Sequence, residues 1–147
     1  QLVVELTERD VLQDGDQHMA EHLHFKGVQL AIDDFGTGNT SLSWLEKLRP
    51  DVLKIDRSFT SSVGIDSVNA TVTDIIIALA NRLHIVTVAE GVETLEQENY
   101  LRSHGVDVLQ GFYYARPMPL EAFPAWLASR EESEGEGEGE GESETTE

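Results

Sequence analysis

The sequence predicts an α/β fold built on a parallel sheet, and three observations carry that prediction. Short apolar, β-branched runs alternate with amphipathic stretches five times along the chain. The runs are nearly continuously apolar, as parallel strands covered on both faces are. Almost every run ends in a polar or acidic residue, at the place where parallel βα architectures collect their functional side chains. Five βα units fit either a doubly wound sheet or half to two-thirds of a (β/α) barrel, which takes ~250 residues when complete.

The first strand is expected over residues 2–6, Leu-Val-Val-Glu-Leu. The chain thus opens inside a strand, where natural domains rarely begin, so an N-terminal truncation is expected. A helix over about 16–25 follows. His18 and His22 stand four apart on it, but without a Glu-x-x-His pattern or a third ligand they read as a solvated face. Residues 28–32 form the second strand, which ends in Asp33-Asp34 and opens into Phe35-Gly36-Thr37-Gly38. Thr37, Asn39, Thr40 and Ser41 hinge and cap there, a helix follows over 41–47, and the third strand takes 52–55. The clearest helix spans 67–82. Val68, Val72, Ile75, Ile76 and Leu79 recur on it at helical spacing, with Asn69, Thr73 and Asn81 off that stripe. The fourth strand takes 85–89. The next helix, 94–104, has Thr94 as N-cap, Gln97 placed to close a capping box, and Gly105 at its C-terminal end. A fifth strand over 106–109 and a helix over about 120–129 complete the series. Trp44 and Trp126 read as packing residues where helices meet the sheet.

The formal charge is −18 in 147 residues, and it is unevenly spread. Residues 131–147 hold nine of the 28 acids and none of the ten bases, which leaves a net −9 over 1–130. The expected organisation is therefore one domain over 1–130 and a disordered Glu/Gly tail over 131–147, whose self-repulsion and lack of apolar residues oppose folding. A body this acidic, with no Lys/Arg cluster, does not bind a nucleic-acid polymer. An anionic ligand binds only where metal ions reverse the local field. There are no cysteines, which removes disulfides and cysteine-based zinc sites and suits a cytoplasmic protein. No apolar run approaches the ~18–20 residues of a membrane span.

The chemistry lies in the strand ends. They read Glu5-Leu6-Thr7-Glu8, Asp33-Asp34, Lys54-Ile55-Asp56, Glu90-Gly91-Val92-Glu93 and Gln110-Gly111. In a parallel βα fold these ends share one rim, so Glu5, Asp33, Asp34, Lys54, Glu90 and Gln110 converge. Adjacent strand residues point to opposite faces, so Asp33 and Asp34 cannot both face a dry core, and burying either charge unpaired costs several kcal/mol or more. Four carboxylates together repel unless divalent cations bridge them. A lone lysine among them suits a group that orients a water or steadies developing negative charge. Any one of these acids reads equally well as a helix N-cap or a loop ion pair. The repetition on strand after strand is what argues for a site. Glu8, Asp56 and Glu93 also have a plainer reading, facing solvent or pairing with Arg9, Arg57 or Lys47. Asp-Phe-Gly by itself also occurs in kinases, but no kinase catalytic motif accompanies it.

Taken in order, Glu5-Leu6-Thr7-Glu8, Asp33-Asp34-Phe35-Gly36-Thr37-Gly38, Leu53-Lys54-Ile55-Asp56, Ala89-Glu90-Gly91-Val92-Glu93-Thr94 and Gln110-Gly111-Phe112 resemble the EAL-domain phosphodiesterases of bacterial signalling, from about residue 2 to residue 127. That resemblance implies a TIM-like (β/α) barrel, here partial, with about five βα units. It implies hydrolysis of cyclic di-GMP to linear pGpG with two Mg²⁺ or Mn²⁺ ions. By position, Glu5, Asp33, Asp34 and Glu90 resemble metal ligands. Lys54 is similar to the family lysine that contacts the nucleophilic water or its metal, Gln110 to a residue that positions this water, and Glu93 to the glutamate that holds the loop after Asp34. Pro117 stands where the family has a proline near the guanine site. Asn39 departs from the aromatic that commonly follows Gly-Thr-Gly, which bears on loop packing and dimer strength. The Glu-Ala-Leu motif, whose glutamate is a ligand, and an asparagine ligand lie on earlier strands that these 147 residues do not include. The 147 residues alone are therefore expected to be inactive. The resemblance further implies a homodimer of the full-length protein and an upstream sensory or GGDEF domain.

Two other classes compete. A non-catalytic cyclic di-GMP receptor would typically have lost acids, whereas all those expected in this part are present. A phosphoacceptor receiver domain also has five βα units, an Asp pair and a Lys. Its pair ends the first strand, however, whereas this one ends the second, only 20 residues before Lys54.

Overall fold

Five parallel strands lie side by side in the order in which the chain makes them. They are β1 (Val3–Thr7), β2 (Gln29–Phe35), β3 (Val52–Ile55), β4 (Val86–Ala89) and β5 (Val108–Leu109). The computed structural model describes residues 2–7, 16–37, 42–65 and 67–137. Between the strands run α1 (Asp16–Phe25), α2 (Leu42–Leu48), α3 (Arg57–Thr60), α4 (Val68–Leu83) and α5 (Leu95–Ser103). An order of 1-2-3-4-5 has no switch point. It therefore settles the choice left open by spacing in favour of a singly wound, barrel-type sheet over a doubly wound or receiver-type one.

The register divides the side chains between two faces. Leu30, Ile32, Leu53, Ile55, Thr87 and Ala89 fall on one face and are completely buried. They form a core with Ala20 of α1, Leu45 and Leu48 of α2, Ile76, Ile77 and Ala80 of α4 and Leu101 of α5. Each of the five helices named above contributes to this core, the short α3 through Phe59, so these five lie on this side of the sheet. The other face carries Val3, Glu5, Asp33, Val52, Lys54, Val86, Val88 and Val108, paired across the strands in register. Val3, Val86 and Val108 stand exposed there. Ala31 is the buried member of this face, so among the described residues the expectation of cover holds throughout on the helix side and only in part on the other.

Two expectations change on folding. The second strand does not stop at Ile32. It continues to Phe35, with one extra residue between the pairs Ile32–Leu53 and Phe35–Ile55. This bulge puts Asp34 in the left-handed region at φ 55°. Asp tolerates that region better than most residues, and the bulge lets Ile32 and Phe35 both reach the core while Asp33 keeps the opposite face. On α4 the packed stripe is Ala70, Thr73, Ile76, Ile77 and Ala80, whereas Val68 and Ile75 are 79% and 61% exposed. Thr73 enters the core because its hydroxyl donates to the Asn69 carbonyl at 2.8 Å, which satisfies it without solvent.

Other local signals are realised as read. Thr94 and Gln97 close the capping box on α5, and Gly105 follows that helix at φ 84°. His18 is exposed and pairs with Glu21, and Trp44 packs against the core. Short α3 was not expected. Asp56 caps it by accepting from the Ser58 amide at 2.9 Å.

The chain divides into two units, Gln1–Ala115 and Arg116–Glu147. The second contains a 3-10 turn, Leu120–Ala122, and α6, Phe123–Gly137. Trp126 stacks on Phe123 there, with ring centroids 5.7 Å apart. Helix α6 crosses the boundary expected at residue 130 and enters the segment expected to be disordered. Residues 138–147, Glu8 and the loop Gly38-Asn39-Thr40-Ser41 lie outside the described residues.

Candidate active site

Parallel pairing in register brings acids from three strands to one lysine. Lys54, near the end of β3, lies on the sheet face opposite the helices, as do Glu5 of β1 and Asp33 of β2. Glu90 leaves the end of β4 on the same side, and its amide donates to the Ile55 carbonyl at 3.1 Å. Lys54 Nζ stands 2.7 Å from Glu90 Oε1, 2.9 Å from Asp33 Oδ1 and 3.3 Å from Glu5 Oε2. The lysine side chain is only 15% exposed, Asp33 and Glu90 are about a quarter exposed, and Glu5 is half exposed. Burial is the largest single influence on the ammonium and pulls its pKa down. The three carboxylates, Glu90 foremost, together outweigh it and hold the pKa well above the usual lysine range.

Asp34, Gln110 and Glu93 lie near this cluster without joining it. Asp34 sits on the bulge, exposed, and its carbonyl accepts from the Thr37 amide and hydroxyl at 3.3 and 2.9 Å. The Asp34 amide in turn donates to Asp33 Oδ1 at 3.1 Å and fixes that carboxylate. Gln110 is exposed at the end of β5. Its amide donates to the Ala89 carbonyl at 2.9 Å, which sets it beside Glu90. Glu93 pairs with Arg57 Nη2 at 2.7 Å, the plainer of its two readings. Pro117 belongs to the second unit, where it is exposed ahead of the 3-10 turn.

A cleft of about 220 Å³ opens next to the cluster, lined by Arg57, Glu90, Gly91, Glu93, Gln110, Gly111 and Phe112. Two glycines shape it. A Cβ on Gly91, which lies at φ 71°, would fall 2.3 Å from the Arg57 stem. One on Gly111 would fall 2.0 Å from the Val92 carbonyl oxygen, so only glycine lets the two loops cross. Larger hollows of about 430 and 650 Å³ lie at the opposite ends of the strands, around Glu46 and Arg49, away from the convergent acids. Arg57 lines the cleft without standing among the site residues expected from the sequence. Its signal was its place, one residue past Asp56 where the chain leaves the rim.

Chemically, the cluster is a set of hard oxygen donors already focused on a positive charge, which is the donor chemistry a divalent cation requires. Among the described residues no three His, Cys, Asp or Glu side chains stand in an arrangement that would hold a metal ion, and the Lys54 ammonium lies among the carboxylates of Glu5, Asp33 and Glu90.

Comparison with known proteins bears on this geometry directly. The model of the EAL domain family matches residues 1–117. Over 131 residues the chain is 66% identical to the probable cyclic di-GMP phosphodiesterase PdeD of Escherichia coli K12, covering 89% of this chain and 25% of that protein. A solved PaMucR phosphodiesterase in complex with c-di-GMP superposes with a TM-score of 0.77 at 43% identity, covering 83% of this chain and 50% of the other. BlrP1 of Klebsiella pneumoniae, solved with manganese and cyclic di-GMP, superposes at 0.72 with 35% identity, covering 80% and 30%. The chain thus spans about a quarter of the length of the curated relative. Among the described residues no helix is long and apolar enough to cross a membrane.

Proposed function

We propose, on the premise that this chain belongs to the EAL domain family, that the protein carrying it is a metal-dependent phosphodiesterase that hydrolyses cyclic di-GMP to linear pGpG. The observation that carries this reading is the meeting of Glu5, Asp33 and Glu90, from three strands, on Lys54. Glu5, Asp33, Asp34 and Glu90 would hold two Mg²⁺ or Mn²⁺ ions. Bound there, the ions supply Lewis acidity, a water of lowered pKa and neutralisation of charge on the phosphoryl oxygens.

The chain's own residues do the rest. Lys54, whose ammonium the neighbouring carboxylates favour, donates towards the attacking water and the charge that develops on the phosphoryl oxygens. Gln110, beside Glu90 on the lip of the cleft, orients that water through its amide. Glu93 and Arg57 brace the loop after β4, and by its motif alone Glu93 would also steady the loop after Asp34. Pro117 enters by its motif alone, as a contact near the guanine base.

A homodimer of the full-length protein belongs to the same reading, supported by the apolar ridge that α4 leaves open at Val68 and Ile75. So do a cytoplasmic location and an upstream sensory or GGDEF domain, for which the greater length of the relatives leaves room.

The test is turnover. Full-length protein incubated with cyclic di-GMP and Mg²⁺ or Mn²⁺ should yield pGpG on a nucleotide column, and Lys54→Ala and Asp33→Ala should each abolish the product. Unchanged turnover in either variant rejects the assignment.

A further inference from the structure

The lysine and the metal compete for one place. An ammonium has three donors, and Lys54 commits them to carboxylates from three different strands, at 2.7, 2.9 and 3.3 Å. Those oxygens point at Nζ. A small divalent ion needs carboxylate oxygens at roughly 2.0–2.2 Å, and a cation at that distance from Asp33 and Glu90 would lie against Nζ and be repelled by it. The oxygens that hold Nζ cannot also hold the ion, and an ion on the second oxygen of each carboxylate would still lie within the repulsive field of Nζ.

Lysine is suited to yielding. Its charge sits at the tip of a flexible four-carbon stem, and unlike arginine it makes point contacts with no planar fork to disengage. The contact to Glu5 is the longest of the three, and Glu5 is the most exposed of the acids.

Resting on the metal-dependent reading above, we infer that Lys54 is the resident counter-ion of the acid cluster, and that it must release at least one of its three carboxylates before a divalent cation binds. The lysine then has two positions. In one it neutralises the acids and holds β1, β2, β3 and the end of β4 together without metal. In the other it is displaced to the lip of the site, where a protonated amine serves the reaction. Its charge lowers the affinity for the first ion and so raises the metal concentration at which the site is half filled.

Manganese binding to the full-length protein, followed by the electron paramagnetic resonance of free Mn²⁺, reads this without reference to activity. Lys54→Met, which keeps the stem and removes the charge, should bind Mn²⁺ at least ~10-fold more tightly than the native protein. Lys54→Arg, which keeps the charge, should not. Equal or weaker binding by Lys54→Met overturns the inference and leaves the metal reading standing. No stoichiometric Mn²⁺ in native protein or variant overturns both. A second measurement needs no variant: crystals of the full-length protein with and without Mg²⁺. Loss of at least one Nζ–carboxylate contact in the loaded form is expected. Retention of all three beside a bound ion overturns the inference.

Discussion

Both ends of the sheet carry carboxylates, and the two ends satisfy them in opposite ways. At the foot, where strands begin, each acid has its own fixed donors. Asp51 accepts from the Leu30 amide at 2.8 Å and from His24 Nε2 at 3.2 Å. Asp107 accepts from the amide and hydroxyl of buried Thr87, both at 2.8 Å, and the Asp107 amide returns a bond to that hydroxyl at 3.0 Å. These acids finish the backbone hydrogen bonding that the stagger of parallel strands leaves open. At the rim, Glu5, Asp33 and Glu90 pool their charge on one movable cation. Asp33 also accepts from the Asp34 amide, but an acid whose only partners are fixed donors has no cation to exchange. An acid held by a side-chain ammonium can exchange its partner, and exchange is what a binding site requires.

The comparison breaks most visibly in activity. Asp33→Asn or Glu90→Gln in the full-length protein should lower kcat for cyclic di-GMP roughly 10²-fold or more, as loss of a group that organises transition-state charge does. Urea midpoints should barely move, since neutralising one of three pooled acids leaves Lys54 two partners. A variant that unfolds instead would assign the rim acids to the scaffold and erase the distinction. Gly111→Ala gives the contrasting loss. Its new Cβ would meet the Val92 carbonyl oxygen at 2.0 Å. Overpacking against backbone should cost about 3 kcal/mol and take stability and activity down together, measured by denaturant unfolding beside turnover.

The foot should answer in stability alone. Asp107→Ala strands the amide and hydroxyl of Thr87, which is completely buried. Leaving buried donors unpaired should cost about 2 kcal/mol in urea unfolding, while turnover per folded molecule stays at the native value. A selective loss of turnover there would show that the two ends are coupled.

How much of this could be read from the chain depends on whether a feature is set by sequence neighbours or by strands pairing at a distance. The capping box at Thr94 and Gln97 and the strand runs at 52–55 and 85–89 are local and were legible. So was the convergence of Glu5, Asp33, Lys54 and Glu90, because parallel strands put their ends on one rim whatever their register. The bulge at Asp34 was not legible, since it exists only against β3. Nor was the buried edge of α4. Periodicity marks an apolar arc, but whether Thr73 or Val68 lies inside depends on where the sheet meets the helix. The grip of Lys54 on three acids was also missed. Repulsion among carboxylates pointed to divalent ions, and the internal cation already able to relieve it was given only a catalytic part.

Asp56 tests whether position or donors decide the role of an acid. It stands at the rim, one residue after Ile55, yet it is partnered like an acid of the foot. Its Oδ1 accepts from the amide and hydroxyl of Ser58, and it caps α3. Burial works against its ionisation, but the bonds from Ser58 and the Arg57 amide prevail and hold its pKa below the usual carboxylate value. A depressed folded pKa gives stability that is present above the unfolded value of about 3.9 and is lost as pH falls through the folded one. Asp56→Ala should therefore cost about 1 kcal/mol at pH 7, the usual loss for an N-cap. That gap should close as unfolding is measured at successively lower pH, below the unfolded value and on through the folded one, where the native carboxylate is protonated too. Because its partners are fixed donors, turnover at neutral pH should survive the substitution, although Asp56 lies two residues from Lys54. A collapse of turnover with unchanged stability would mean that a place on the rim suffices to make an acid functional.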